Sequence, residues 1–237
     1  MKVLLNLIAT NRYMGFVPKI LESVNTHFFP SAERHVIIHT NLDLPELNYP
    51  SLVVEKHAIP HEQWPLVTLK RFHYFLGVED RLKESDYCFY MDVDAVFIKT
   101  LDWALPYRGV FGTIHPIYHS GPGTPERDPI STAYIPEGSD SRYYYGGFFG
   151  GRSEDFIKMS HDIRDCVDID MTRNHIAVWH DESQLNRYLF QNPPSLTFEF
   201  PFGTAEGISK IVPDSYIHFL DKNAIGGHNY FRGIEQS

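Results

Sequence analysis

The chain is short of cysteine, of long apolar runs and of positive charge, and each shortage closes off a class of protein. Two cysteines in 237 residues, Cys88 and Cys166, cannot supply a disulfide framework, which fits a reducing cytoplasm. The opening stretch Met1–Thr10 is too short to span a bilayer and carries Asn6 inside it. No small-residue cleavage pattern follows, so it reads as a first core strand rather than a secretory leader. The net charge of −9 leaves no basic surface for a general nucleic-acid binder. It does not exclude a nucleotide, whose phosphates need only one metal ion and a few local cations. No internal repeat, low-complexity tract or Ser/Gly linker divides the chain. Neither a Walker loop nor a dinucleotide fingerprint is present, because the paired glycines of 146–151 lack either spacing.

What remains is a globular composition, 43% hydrophobic and 22% charged, and a length for which one domain is the default. The first half alternates between the two periodicities. Residues 2–9, 35–40, 52–55, 89–92, 95–98 and 110–114 read as strands, and 16–29 and 67–83 as helices. Such alternation predicts an α/β layer with a mostly parallel sheet, whose ligands sit beyond the carboxyl ends of the strands. That places Thr10–Tyr13 and Asp92–Asp94 on one rim. Residues 115–137 form a long Pro/Gly/Ser-rich loop. The second half predicts helices over 153–167 and 182–190, strands near 196–200 and 216–220, and a mobile tail from Asp221.

Within the strand Tyr87–Phe97, Asp92 and Asp94 interrupt an apolar run. Buried carboxylates need compensation. A divalent cation would provide it, since Mg²⁺ or Mn²⁺ takes one or two carboxylates plus substrate phosphates. At i and i+2 the two side chains share a face of a strand and could share an ion. Equally, either could cap a turn.

Three further clusters stand out. Tyr143–Gly151 joins aromatics to two glycine pairs, suited to a sugar face or to a strand crossing with no room for side chains. Trp179–Gln184 opens a helix, where Asp181 and Gln184 approximate a capping box and Glu182 is left free to act at an anomeric centre. His115 and His119 are four apart, but Pro116 and a loop setting argue against zinc. Lys70-Arg71 is an ordinary solvated pair unless its helix faces the Asp92–Asp94 rim.

Together these pieces resemble glycosyltransferase family 6, the retaining family of the histo-blood-group A and B transferases, the α-1,3-galactosyltransferases and small bacterial and phage relatives. The resemblance rests on Phe-Gly-Thr-Ile-His-Pro at 111–116, Ala-Tyr-Ile-Pro at 133–136, the 143–151 motif, and Ala-Val-Trp-His-Asp-Glu-Ser at 177–183. It implies a GT-A type α/β fold, its sheet mostly parallel and its N-terminal half Rossmann-like and nucleotide-binding. A single catalytic domain would divide near residues 114 and 220 into a nucleotide-sugar half, an acceptor half and the tail.

The resemblance also implies roles. Asp92 and Asp94 match the metal motif that holds Mn²⁺ (Mg²⁺ as alternative) against the UDP diphosphate, with Val93 between them. Ile8, Thr10 and Tyr13 fall at uracil and ribose; Trp64, Val67 and Arg71 lie beside the donor; Tyr145, Gly146 and Gly147 lie at its sugar. His115, Thr124 and Trp179 match acceptor contacts. Asp181 would meet the donor hydroxyls, and Glu182 would be nucleophile or oxocarbenium stabiliser. Lys222 and Arg232 would clamp the diphosphate. The small Gly147 tilts the donor toward UDP-GalNAc, with UDP-Gal as alternative; the resemblance implies a galactoside or fucosylated galactoside as acceptor, whose identity stays open. Asp92-Val93-Asp94 departs from the Asn-x-Asn of many bacterial relatives, so metal dependence is expected. Lacking an anchor before residue 1, a soluble cytoplasmic enzyme of a bacterium or phage is expected. A non-catalytic sugar-binding protein and a nucleotide-sugar hydrolase are the competing readings.

Overall fold

A computed structural model describes residues 1–102, 105–118, 121–139, 142–194, 196–198, 202–203 and 215–234. Its strands are β1 (Lys2–Ile8), β2 (Glu33–Thr40), β3 (Leu52–Ala58), β4 (Tyr87–Met91), β5 (Ala95–Phe97), β6 (Val110–Thr113), β7 (Phe148–Arg152), β8 (Thr197–Phe198), β9 (Phe202–Gly203) and β10 (Ile217–Phe219). The α-helices are α1 (Val17–His27), α2 (Leu66–Leu69), α3 (Arg71–Leu76), α4 (Glu79–Lys83), α5 (Ser153–Thr172), α6 (His180–Gln191) and α7 (Gly227–Arg232).

The main sheet runs β3-β2-β1-β4-β7-β6-β8. Strands β3, β2, β1 and β4 are parallel, β7 is antiparallel to both its neighbours, and β8 is parallel to β6. A small second sheet joins β5, β10 and β9. This is the mostly parallel α/β architecture, of GT-A type, that the resemblance implies. β1 is buried from Val3 to Leu7, as a central strand covered on both faces must be. Its pleat sends Val3, Leu5 and Leu7 into one apolar layer with Ile20, Leu21 and Val24 of α1. Leu4 faces the opposite layer, with Phe72 and Phe75 of α3 and Phe156 and Ile163 of α5.

The chain order reverses at β1, which has β2 on one side and β4 on the other. A crevice opens at such a switch point, beyond the carboxyl ends of the two strands. Thr10 follows β1 and Asp92 follows β4, so the two predicted stretches do share a rim.

One expected helix is broken. Residues 67–83 form α2, α3 and α4, because Lys70 (ψ 12°) and Val78 (ψ 29°) leave the helical region. Gly77 sits at the second break, where a Cβ would lie 2.7 Å from the His57 ring. Similarly, the helix expected from Phe16 begins as a 3-10 turn, Asn11–Phe16, before α1. The stretch after Asp221, expected as a mobile tail, folds here into a 3-10 turn at Lys222–Ile225 and then α7. Phe231 seats α7 against Tyr13 and Phe16, with ring centroids 5.2 and 4.8 Å away. Among the described residues, no helix is long and apolar enough to cross a membrane.

Candidate active site

At the end of β4 the backbone turns. Asp92 donates its N–H to Gly147 O (2.9 Å) and accepts the Ala95 N–H at its carbonyl (3.2 Å). Asp92 and Asp94 therefore sit on a turn rather than on one face of a strand, and the turn brings both to a cavity of about 200 Å³. Its walls hold Ile8, Thr10 and Tyr13 from the end of β1, and Trp64, Val67 and Arg71 from the α2–α3 region. Asp92, Val93 and Asp94 line it beside Lys222 and Arg232 of the C-terminal segment. The tertiary structure thus brings together every residue placed at the nucleotide and diphosphate by resemblance.

Arg71 organises the floor. It is 4% exposed, and its guanidinium is shared among four groups. Nη2 lies 2.9 Å from Asp181 Oδ2 and 3.7 Å from Asp92 Oδ1, Nη1 donates to Gly146 O, and the ring of Tyr90 lies 4.2 Å away. Burial alone would lower its pKa, but Asp181 first, then Tyr90 and Asp92, raise it, so the group stays charged. Asp92 also accepts the Tyr90 hydroxyl at Oδ1 (2.6 Å) and the Tyr145 hydroxyl at Oδ2 (3.2 Å). Asp94, 4% exposed, pairs with the Lys222 ammonium. Burial works against that ammonium, and Asp94 more than offsets it, raising the Lys222 pKa. Arg232 lies 3.9 Å over the Trp64 ring.

A second hollow, about 160 Å³, shares Trp64, Thr68, Arg71 and Asp92 with the first and continues to Tyr145, Gly146, Gly147, Trp179, Asp181 and Glu182. Here α6 begins at His180, in a left-handed conformation (φ 51°) with its ring 4.9 Å from Trp64. The capping box read from Asp181 and Gln184 does not form. Asp181 turns to Arg71, Gln184 bonds Asp170 at 3.0 Å, and the Trp179 N–H is met by Ser183 Oγ at 3.0 Å. Asp181 is pushed up to about 6, chiefly by burial, with Arg71 opposing. Glu182 is pushed up to about 7 by burial, against hydrogen bonds from the Gly146 amide and the Tyr143 hydroxyl.

The two glycine pairs divide the uses proposed for them. Gly150 and Gly151 serve the sheet: a Cβ would meet Cys88 O at 2.6 Å and Gly109 O at 2.4 Å. Gly146 and Gly147 serve the site. A Cβ on Gly147 would fall 2.1 Å from the Tyr145 ring, so the room left by this glycine is taken by its neighbour's side chain.

His115 and Thr124 line neither hollow. His115 stacks beside Tyr143 and Tyr145, with centroids 5.7 and 5.4 Å away, and burial lowers its pKa to about 4. Thr124 is exposed and follows Gly123, whose backbone crosses the Tyr143 ring. His119 lies outside the described residues. Sequence reasoning gave no role of their own to Tyr90, Tyr143, Thr68 and His180. Tyr90 and Tyr143 lie within the stretches singled out, but only contact with Asp92 and Glu182 distinguishes them from ordinary aromatics.

Comparison with known proteins gives the family. Residues 1–211 match glycosyltransferase family 6. The chain is 32% identical over 200 residues to the O-antigen biosynthesis glycosyltransferase WbnI of Escherichia coli, covering 81% of this chain and 83% of that protein. It is 30% identical over 200 residues to histo-blood group ABO system transferase 1 of Rattus norvegicus, covering 81% of this chain and 57% of that protein. It is also 30% identical over 203 residues to globoside alpha-1,3-N-acetylgalactosaminyltransferase 1 of Gallus gallus, covering 79% and 57%. The chain thus spans little more than half the length of these vertebrate relatives. The relatives support a role in glycosyl transfer, and by the extent of these matches the chain belongs to glycosyltransferase family 6.

Proposed function

We propose that the protein is a retaining transferase that moves GalNAc or Gal from a UDP-sugar to the 3-OH of a galactoside-type acceptor in α linkage. The observation that carries this reading is the junction of the two hollows at Arg71. On one side Asp92, Asp94 and Lys222 suit a diphosphate, and on the other Asp181 and Glu182 suit a sugar.

The donor set fits a divalent cation, Mn²⁺ with Mg²⁺ as alternative. Asp92 and Asp94 offer hard carboxylate oxygens, and the Lys222 ammonium already seated on Asp94 marks the spot as one that holds positive charge. Among the described residues no third His, Cys, Asp or Glu joins them, so the remaining ligands would come from diphosphate and water. When bound, the ion would neutralise charge developing on the departing UDP. Lys222 and Arg232 add to that neutralisation from the C-terminal segment, which also covers the cavity and excludes water. Arg71 holds Asp181 in place for the sugar hydroxyls. Glu182, ionised above about pH 7, stabilises positive charge at the anomeric carbon.

The donor sugar is where one observation favours the alternative. The Tyr145 ring fills the space over Gly147 that an N-acetyl group would use, which supports UDP-Gal. UDP release should be measured from both donors, with galactoside and fucosylated galactoside acceptors, with Mn²⁺ and with excess chelator. Products analysed by NMR should show a new α-(1→3) linkage, and Tyr145→Ala should shift preference toward UDP-GalNAc. Full activity in chelator would remove the metal from the reading. Equal UDP release with and without every acceptor would make the protein a hydrolase.

A further inference from the structure

Glu182 is gripped at both oxygens. Oε2 accepts the Gly146 N–H at 2.8 Å, and Oε1 accepts the Tyr143 hydroxyl, also at 2.8 Å. The first donor is backbone and fixed by the fold. The second depends on one side chain that lines neither hollow and that no role yet accounts for. Tyr143 is itself 3% exposed, and its ring is wedged against Tyr118 and His115 at 5.3 and 5.7 Å.

The segment before it is built around this ring. Gly123 adopts φ 65°, and a Cβ there would lie 2.2 Å from Tyr143 Cγ, so the backbone crosses directly over the aromatic face. The Gly123 backbone, a buried tyrosine and a carboxylate thus form one connected line. A carboxylate held by two donors has its rotamer and its charge set by them, and removing one donor frees both.

We propose that Tyr143 is the positioning residue for Glu182, aiming its carboxylate at the sugar hollow and tying that aim to the 121–124 segment through the Gly123 backbone that crosses its ring. The proposal rests on the transferase reading of Glu182, and deepens it. The other groups facing Glu182 are Asp181 of α6, Arg71 of α3, and Tyr145. His180 of α6 lines the same hollow, and His115 stands behind Tyr143. None of these is altered by changing Tyr143 to phenylalanine, which keeps the ring and its packing and removes only the donor.

The test begins with the free protein. Glutamate side chains labelled with ¹³C report Glu182 directly, assigned by its absence in Glu182→Gln. In Tyr143→Phe the Glu182 titration midpoint should rise by about one pH unit, because a hydrogen bond to the ionised form is lost. Gly123→Ala, whose Cβ would push on the Tyr143 ring, should move it in the same direction, and this second variant keeps the test open if the first does not fold. An unmoved midpoint in both overturns the proposal. Turnover is then read as UDP release from UDP-GalNAc and UDP-Gal with methyl β-galactoside. Tyr143→Phe should lower kcat by about 10- to 100-fold with donor KM within twofold, and shift the acid limb of the kcat profile upward. In a Glu182→Gln background the same change should cost nothing further; an additional loss of more than about threefold means that Tyr143 acts elsewhere. Full turnover in Glu182→Gln alone would sink the transferase role of that carboxylate while leaving the titration result standing.

Discussion

Glu182→Gln should stabilise the protein against heat while stopping transfer. In the folded chain the Glu182 carboxyl is pushed up to about 7 by burial, with Gly146 and Tyr143 recovering only part of the lost hydration, against an ordinary value of 4.5. The gap from 4.5 to about 7, at about 1.4 kcal/mol per pH unit, amounts to about 3 kcal/mol. Because the folded value is the higher one, the native state holds the proton more tightly than the unfolded chain does. Its contribution to stability is complete below pH 4.5 and is lost as pH rises through about 7. Glutamine never ionises. Its carbonyl can accept the Gly146 N–H and its amide can donate to the Tyr143 oxygen, so neither partner is stranded. At pH 8 the variant should therefore gain about 3 kcal/mol, or about 6–12 °C in Tm for a chain of this size, and the gain should vanish near pH 4.5. Scanning calorimetry of both ligand-free proteins from pH 5 to 9 reads this directly. Parallel Tm curves, or a variant less stable than the parent at pH 8, would refute the claim that the site holds this carboxylate at a cost.

Arg71→Met should lose about 3–5 kcal/mol, since it strands Asp181, 5% exposed, beside Asp92 with no countercharge. Adding Asp181→Asn should restore part of that, and a loss below about 1 kcal/mol in urea melts would deny Arg71 its organising role. His39 is fully buried, hydrogen-bonded to Asn6 Oδ1 (3.0 Å) and His57 Nδ1 (2.8 Å), and burial, then His57, holds its pKa well below 6.5. The native state thus refuses a proton that the unfolded chain takes up, so stability should fall below pH 6.5 by up to about 1.4 kcal/mol per pH unit. His39→Gln should flatten that fall, measured as Tm at pH 7.5 and 5.5, even if it lowers Tm at both. Gly150→Ala should cost about 1–3 kcal/mol, because its Cβ meets the Cys88 carbonyl within the sheet, whereas Gly121→Ala, with open space around it, should be silent in the same melts.

Much of the fold was legible because its signals are local. β1 and β4 read as strands from apolar runs that a doubly covered sheet requires, and the helix read over 153–167 forms as α5, which buries Phe156, Ser160, Ile163 and Val167. The break of residues 67–83 into three helices was not legible. It depends on packing from elsewhere in the chain, such as the His57 ring that needs a glycine at 77. Asp181 shows the same limit from the other side. Its sequence neighbours suggested a cap, and only the long-range approach of α3 gave it Arg71 instead.

The sequence by itself determined the α/β alternation, the family through its ordered motifs, and the residue types at the site. Short-range pattern and chemistry are sufficient for those. The tertiary structure alone decided which of these residues meet. It put Asp92 and Asp94 on a turn, seated Lys222 from more than a hundred residues away on Asp94, and filled the space over Gly147 with Tyr145. It also gave Glu182 its two donors and, through burial, its proton affinity. Those are facts of distance and exclusion of water, which exist only once the chain is closed on itself.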